Sequence, residues 1–113
     1  MFRWIGCLAI ALWAASLALP AWADDPAIAQ PAALFEVHCA GCHLNGGNIV
    51  RRGKTLKLKA LQQNSVDSVE AIAALVTDGK NNMSAYRDKL SAPQIDALAR
   101  YVLDRAGEGW SKS

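Results

Sequence analysis

Strand-like alternation, internal repeats and low-complexity tracts are all missing from this 113-residue chain, and what remains is an all-α pattern. An excess of either charge is missing too. From Asp24 to Ser113, eleven Lys and Arg face ten Asp and Glu once Arg3 is subtracted from the total of twelve. A formal charge of +1 excludes a strongly basic nucleic-acid binder. Sulfur and imidazole are scarce, with three cysteines, two methionines and two histidines in all. A domain of 90 residues buries only about 60–65% of its unfolded surface and often needs a disulfide, a metal or a cofactor to help fill its core. The few sulfur-bearing residues therefore carry most of the information.

What is present begins with a leader. Met1 to Ala23 holds one charge, Arg3, then an apolar stretch from Trp4 to Leu19, then Pro20 and the triplet Ala21-Trp22-Ala23. This pattern predicts a secretory signal over 1–23, cleaved before Asp24, and a mature domain over 24–113. The competing reading is an uncleaved anchor, since the stretch nearly reaches the roughly 18 residues that a span needs. The Ala-x-Ala site favours cleavage, and with it a mature chain that has no stable membrane insertion. Cys7 leaves with the leader and lacks the preceding apolar region of a lipoprotein cysteine, so the mature chain keeps Cys39 and Cys42 alone.

Asp24 to Pro31 carries two prolines and reads as a frayed lead-in. Pro31 suits a first helical turn, and Leu34, Phe35 and His38 fall at helical spacing in a first helix that ends near His43. Asn45-Gly46-Gly47-Asn48 cannot sustain a helix, and helical character returns around Leu56 to Gln63. Asp67 with Glu70 three residues later predicts the next helix start, with Val69, Ile72, Ala73 and Val76 on one apolar face and Gly79 at its end. A loop from Lys80 to Lys89 follows. Ser91 with Gln94 forms a capping box, Pro93 is tolerated in the first turn, and Ile95, Leu98, Ala99, Val102 and Ala106 recur every three to four residues until Gly107.

Cys39-Ala40-Gly41-Cys42-His43 is C-x-x-C-H, the attachment sequence for c-type haem. Two thiols about one helical turn apart can each add to one haem vinyl group, and the adjacent imidazole then reaches the iron. Ala40 and Gly41 leave the porphyrin face unobstructed. A redox dithiol of thioredoxin type would sit beside a βαβ pattern, and none is present. A structural zinc site wants four ligands, yet only His38 could join Cys39, Cys42 and His43, all on one segment too short to wrap a tetrahedron. One covalent haem per chain is the expectation. His38 lies five residues before His43 on the same short helix and is expected at the surface or at a cap rather than as the second axial ligand. With Met1 in the leader, Met83 is the one methionine of the mature chain. It sits in the polar loop KNNMSAY, which could fold over the distal haem face, and a thioether opposite histidine stabilises ferrous iron and suits an electron carrier.

These residues resemble the cytochrome c6 group of small soluble carriers in oxygenic phototrophs. The resemblance runs from Leu34 to Trp110. It rests on Phe35 four residues before Cys39, the C-x-x-C-H motif, Gly46-Gly47-Asn48, Lys54-Thr55-Leu56-Lys57, Glu70-Ala71-Ile72, Gly79-Lys80-Asn81, Met83, Leu90-Ser91, Tyr101-Val102-Leu103-Asp104 and Gly109-Trp110. It implies a class I cytochrome c fold, about four helices around one haem c, with Cys39 and Cys42 as thioether anchors and His43 and Met83 as axial ligands. It also implies that Phe35 packs near Tyr101 where the terminal helices cross. Three positions depart from the family. Pro31 stands where a glycine is usual, Ser84 follows the methionine in place of a common proline, and Leu75 occupies a position where photosynthetic members typically carry a glutamine near the haem. Losing that amide removes a dipole beside the iron, and the expected direction is a lower potential, as in a lower-potential subgroup of the family. The alternative for Leu75 is plain core on the Ile72/Val76 face.

The function expected from this resemblance is a one-electron carrier, monomeric, exported to the thylakoid lumen or periplasm. It would shuttle between a cytochrome b6f-like donor and a photosystem I-like acceptor. A lower-potential carrier serving a terminal oxidase is the second expectation. Arg51, Arg52, Lys54, Lys57 and Lys59 offer a steering patch toward an acidic partner, with a solvated loop as the plain alternative. An enzyme or gas sensor with a labile Met83 is the third. Asn81, Asn82 and Ser84 supply no acid–base pair for peroxidase chemistry, so an enzyme is not expected.

Overall fold

A computed structural model describes residues 30–111. The expected leader, the expected cleavage before Asp24 and most of the lead-in lie outside the described residues. Five α-helices follow one another: α1 Pro31–His38, α2 Ala40–His43, α3 Leu58–Gln63, α4 Val69–Asp78 and α5 Ala92–Gly107, with 3-10 turns at Leu44–Gly46 and Arg52–Lys54. Among the described residues the only β-type pairing is one isolated bridge between Lys80 and Met83.

The expected first helix is present but broken once. Pro31 opens α1, where a missing N–H costs nothing. Cys39 then leaves helical geometry at φ −121°, ending α1 and beginning α2. Its N–H still donates to the Phe35 carbonyl at 2.8 Å, and its carbonyl accepts from His43 N–H at 2.9 Å, so the chain turns without losing its ladder.

Helix α3 starts at Leu58, two residues later than the pattern predicts. Leu56 is committed elsewhere. Its N–H donates to Gly46 O at 2.8 Å and its carbonyl accepts the Trp110 indole N–H at 2.9 Å. The start of α4 needs a correction of one residue. Ser68, not Asp67, is the N-cap, with extended backbone and a hydroxyl that accepts from Ala71 N–H at 3.1 Å. Helix α5 has the expected box, Ser91 Oγ accepting from Gln94 N–H and Gln94 Oε1 accepting from Ser91 N–H.

The core is the meeting of α1, α4 and α5. All five apolar positions expected on the inner face of α5 are buried: Ile95, Leu98, Ala99, Val102 and Ala106. Leu98 and Ala99 are closed to solvent at 1% and 0% exposure, which leaves no room there for a larger side chain. Ile72 and Val76 bury the inner face of α4, and Phe35 does the same for α1. Phe35 packs on Tyr101 with ring centroids 5.5 Å apart and on Trp110 at 5.3 Å, so the aromatic pairing implied for the helix crossing is present, with an additional ring.

Candidate haem site

One cleft gathers residues from nearly every element. Cys39 and Cys42 reach it from the α1/α2 junction and α2, His43 from the end of α2, Leu75 from α4, and Met83 from the loop between α4 and α5. Apolar side chains form much of the remaining wall, including Phe35, Leu56, Leu61, Val66, Ile72, Val76 and Val102. All five residues singled out for the site therefore face the same space. Cys42 is exposed, while Cys39, His43, Leu75 and Met83 are half-buried.

The imidazole of His43 is held by its Nδ1, 2.8 Å from the Gly47 carbonyl. A carbonyl only accepts, so the proton must sit on Nδ1, which leaves the Nε2 lone pair free for a metal. Gly46 and Gly47 earn their place here. At Gly46 φ is +78°, and a Cβ would meet the Trp110 indole at 2.5 Å. The indole thus lies flush on the turn that presents the histidine. Ile49 N–H donates to Cys42 O at 3.0 Å, and Asn48 Oδ1 accepts from Val50 and Arg51 N–H at 2.9 and 2.7 Å.

Met83 is seated differently. Gly79 ends α4 at φ +70°, and a Cβ there would stand 2.5 Å from Met83 O, 2.7 Å from Ala85 N and 2.8 Å from Ser84 C. The loop backbone therefore folds directly against a position that only glycine can occupy. Lys80 and Met83 exchange backbone bonds at 3.0 and 2.9 Å, and Tyr86 N–H donates to Val76 O at 2.9 Å. Leu75 is half-buried on the cleft wall, whereas its neighbours Ile72 and Val76, which also line it, are buried. It is thus a cleft residue as well as part of the α4 face.

Burial pushes the Cys39 thiol up to about 11. Dithiol redox sites work through a depressed thiol pKa, so Cys39 departs from that chemistry in the opposite direction. In a c-type haem site each thiol would instead add across one vinyl double bond, sulfur joining one carbon and hydrogen the other. The chemistry of the donor set fits a c-type haem: two thiols one turn apart, an imidazole with a free Nε2, a thioether and an apolar wall.

His38, expected at the surface or at a cap, stands at the last position of α1 without being a surface side chain. It is half-buried, lines the cleft and meets the Tyr86 ring edge-on at 6.0 Å, while its carbonyl accepts the Tyr86 hydroxyl at 2.9 Å. Tyr86 and Trp110 are site-building residues to which the sequence assigned no role, although Trp110 is among the residues that carry the resemblance. Each is a lone aromatic beyond a periodic segment, and that is the signal that could have drawn attention to them. Of the five cations, Arg51 and Lys54 line the cleft, and all five are exposed.

Comparison with known proteins agrees with this geometry. The family described as cytochrome c oxidase, cbb3-type, subunit III matches residues 26–102. The chain is 60% identical over 77 residues to a cytochrome c6-like protein of Nostoc sp., covering 68% of this chain and 69% of that one. It is 45% identical over 95 residues to cytochrome c6 of Synechococcus sp. (strain ATCC 27167 / PCC 6312), covering 84% and 83%. The crystal structure of cytochrome c6C from Synechococcus sp. PCC 7002 superposes with a TM-score of 0.68 at 63% identity, covering 70% of this chain and 96% of that one. The shared domain carries one covalently attached haem c. A class I cytochrome fold built around C-x-x-C-H, and identity to cytochrome c6 relatives over more than two thirds of the chain, place it in the cytochrome c6 family of c-type electron carriers.

Proposed function

We propose that Cys39 and Cys42 anchor the haem, that His43 Nε2 and the Met83 thioether are its axial ligands, and that the protein carries single electrons between membrane complexes. The supporting observation is the convergence of those four side chains, from two segments far apart in the chain, on one cleft. The bound haem supplies the one-electron couple, and the chain holds it, tunes it and exposes an edge. If His43 and Met83 both held the iron, no position would be left for a substrate, which is why a carrier is favoured over an enzyme. A Met83 thioether paired with the His43 imidazole on the iron would favour the ferrous state. Replacing Met83 with Ala should abolish the weak charge-transfer band of methionine-bound ferric haem and open the ferrous protein to carbon monoxide. Retention of the band would overturn the assignment.

Docking would use the cleft mouth. Leu44, Ile49 and Val50 are exposed at 62%, 74% and 54%, in the segment that also carries exposed Arg51, Arg52 and Lys54. An apolar contact beside a cationic flank suits a weak, salt-sensitive encounter with an acidic partner. A cytochrome b6f-like donor and a photosystem I-like acceptor, in the thylakoid lumen or periplasm, are the partners of this reading. No helix among the described residues is long and apolar enough to cross a membrane.

One observation favours a second acceptor. Leu75 turns an apolar side chain to the cleft, where the amide of a glutamine would add a dipole beside the iron. Its absence lowers the potential and suits a terminal oxidase or another acceptor in place of photosystem I. Replacing Leu75 with Gln should raise the potential by roughly tens of millivolts, the equivalent of one polar contact in a one-electron couple. An unmoved potential would remove the case for this acceptor.

A further inference from the structure

The loop that carries Met83 and the segment that carries the two cysteines are far apart in the chain, and little joins them. Among the described residues, one hydrogen bond runs from residues 80–90 to residues 31–50: the Tyr86 hydroxyl donates to the His38 carbonyl at 2.9 Å. It spans 48 positions. The acceptor is the residue directly before Cys39, at the last position of α1. The same tyrosine fixes the loop from its other side. Its backbone N–H donates to Val76 O at 2.9 Å, and its carbonyl accepts from Lys89 and Leu90 N–H at 3.0 and 2.9 Å. The ring itself packs on the His38 imidazole and lies under the Lys89 ammonium, 5.3 Å from its centroid.

Met83 has no comparable hold of its own. Its backbone bonds reach only Lys80, within the same turn. Ser84, Ala85, Asn81 and Asn82 are exposed. By backbone and tyrosine hydrogen bonds the turn is fixed to the rest of the chain only at its two ends, through Gly79 N–H to Leu75 O and through Tyr86. Burial raises the Tyr86 hydroxyl above its ordinary range, so it remains a proton donor through neutral pH.

We propose that Tyr86 is a positioning residue for Met83: by tying the methionine loop to the backbone just ahead of Cys39, its hydroxyl sets how often the thioether leaves the iron. This rests on the reading of Met83 as an axial ligand. A phenylalanine would keep the ring packing and lose only the tether. The tether spans from the element bearing one side of the site to the element bearing the other, so losing it loosens the methionine turn before it loosens the fold.

The test is cyanide binding to the ferric holoprotein, whose rate at saturating cyanide reports departure of the sixth ligand. Five proteins are compared: the wild type, Tyr86→Phe, Tyr86→Leu, Trp110→Phe and Met83→Ala. Trp110→Phe also deletes an aromatic hydrogen bond to a distant backbone carbonyl, at the other end of the site. Tyr86→Phe should raise the limiting rate about two- to tenfold, the span expected for one ordinary hydrogen bond. Trp110→Phe should leave that rate within twofold of wild type. Tyr86→Leu, which loses the ring as well, should raise it at least as much as Tyr86→Phe and guards against an uninformative single variant. An unchanged rate in Tyr86→Phe, with Met83→Ala lacking both the methionine band and the rate limit, overturns the proposal and leaves the ligand assignment standing. An equal rise in Trp110→Phe also overturns it, by reducing Tyr86 to general stability. A Met83→Ala protein that keeps the band and the limit overturns the ligand assignment instead, and the proposal with it.

Discussion

The histidine and methionine sides of the cleft are built on different plans. On the histidine side, residues 42–56 are laced to one another and to the C-terminal end: His43 to Gly47, Ile49 to Cys42, Leu56 to Gly46, and Trp110 to Leu56. On the methionine side, a turn closes on itself between Lys80 and Met83, leans on Gly79 and is tethered through Tyr86. Many mutually supporting bonds make one side cooperative with the global fold. Few bonds make the other a local unit that can open alone. The difference implies that the methionine contact is the first part of the site to yield, and that stability and ligation can be perturbed separately.

Alanine at each of the two close-approach glycines is the strongest way to break that comparison. Gly46 and Gly79 both hold positive φ, at +78° and +70°, and both would bring a Cβ within 2.5 Å of another atom. The backbone strain and the overlap together should cost about 2–4 kcal/mol at either site. The cost should appear in different observables. Gly46→Ala displaces the Trp110 indole, so the thermal midpoint should fall while the methionine band survives at ambient temperature. Gly79→Ala meets loop backbone, so the band should weaken well below the unfolding temperature. If Gly46→Ala loses the band first, or Gly79→Ala only lowers the midpoint, the two sides are not independent.

A smaller effect sharpens the same contrast from the far end of the chain. Trp110 packs on Phe35 and, edge-on, on Tyr101 at 6.3 Å, besides its bond to Leu56. Trp110→Phe removes the N–H and part of the buried ring, which should lower stability by about 1–3 kcal/mol in denaturant titration. A loss confined to the methionine band would contradict the placement of Trp110 on the histidine side.

Much of this arrangement was legible in the sequence where the information is local or periodic. C-x-x-C-H is contiguous, and the inner face of α5 repeats at helical spacing over sixteen residues. Met83 stood out because the sequence holds only one other methionine, Met1. The misplaced cap of α4 shows a local limit, since Asp67 and Ser68 are both competent caps and only backbone geometry separates them. The long-range contacts show a different limit. The Tyr86 hydroxyl meets a carbonyl 48 residues away and the Trp110 indole one 54 residues away, and neither acceptor has a side-chain identity that pattern could read. Gly79 was readable as a helix stop, but its role as the surface on which the Met83 backbone rests exists only once the loop has folded back.

The smallest expected effect separates buried from exposed restraint on the methionine loop. Arg87 pairs with Asp78 across the base of the loop, with side chains 57% and 60% exposed. It is therefore an alternative fastener for the same segment that Tyr86 tethers. Exposed pairs contribute about 0–1 kcal/mol and are screened by salt. Arg87→Gln should thus change the cyanide-limited rate by less than about threefold, and the difference should vanish at high ionic strength. Tyr86→Phe, acting through a part-buried bond, should keep its effect in the same salt. If salt erases both effects, surface charge restrains the turn and the buried tether does not. If it erases only the first, the asymmetry of the cleft lies in how few buried contacts hold the methionine, and a single hydroxyl governs how firmly it stays.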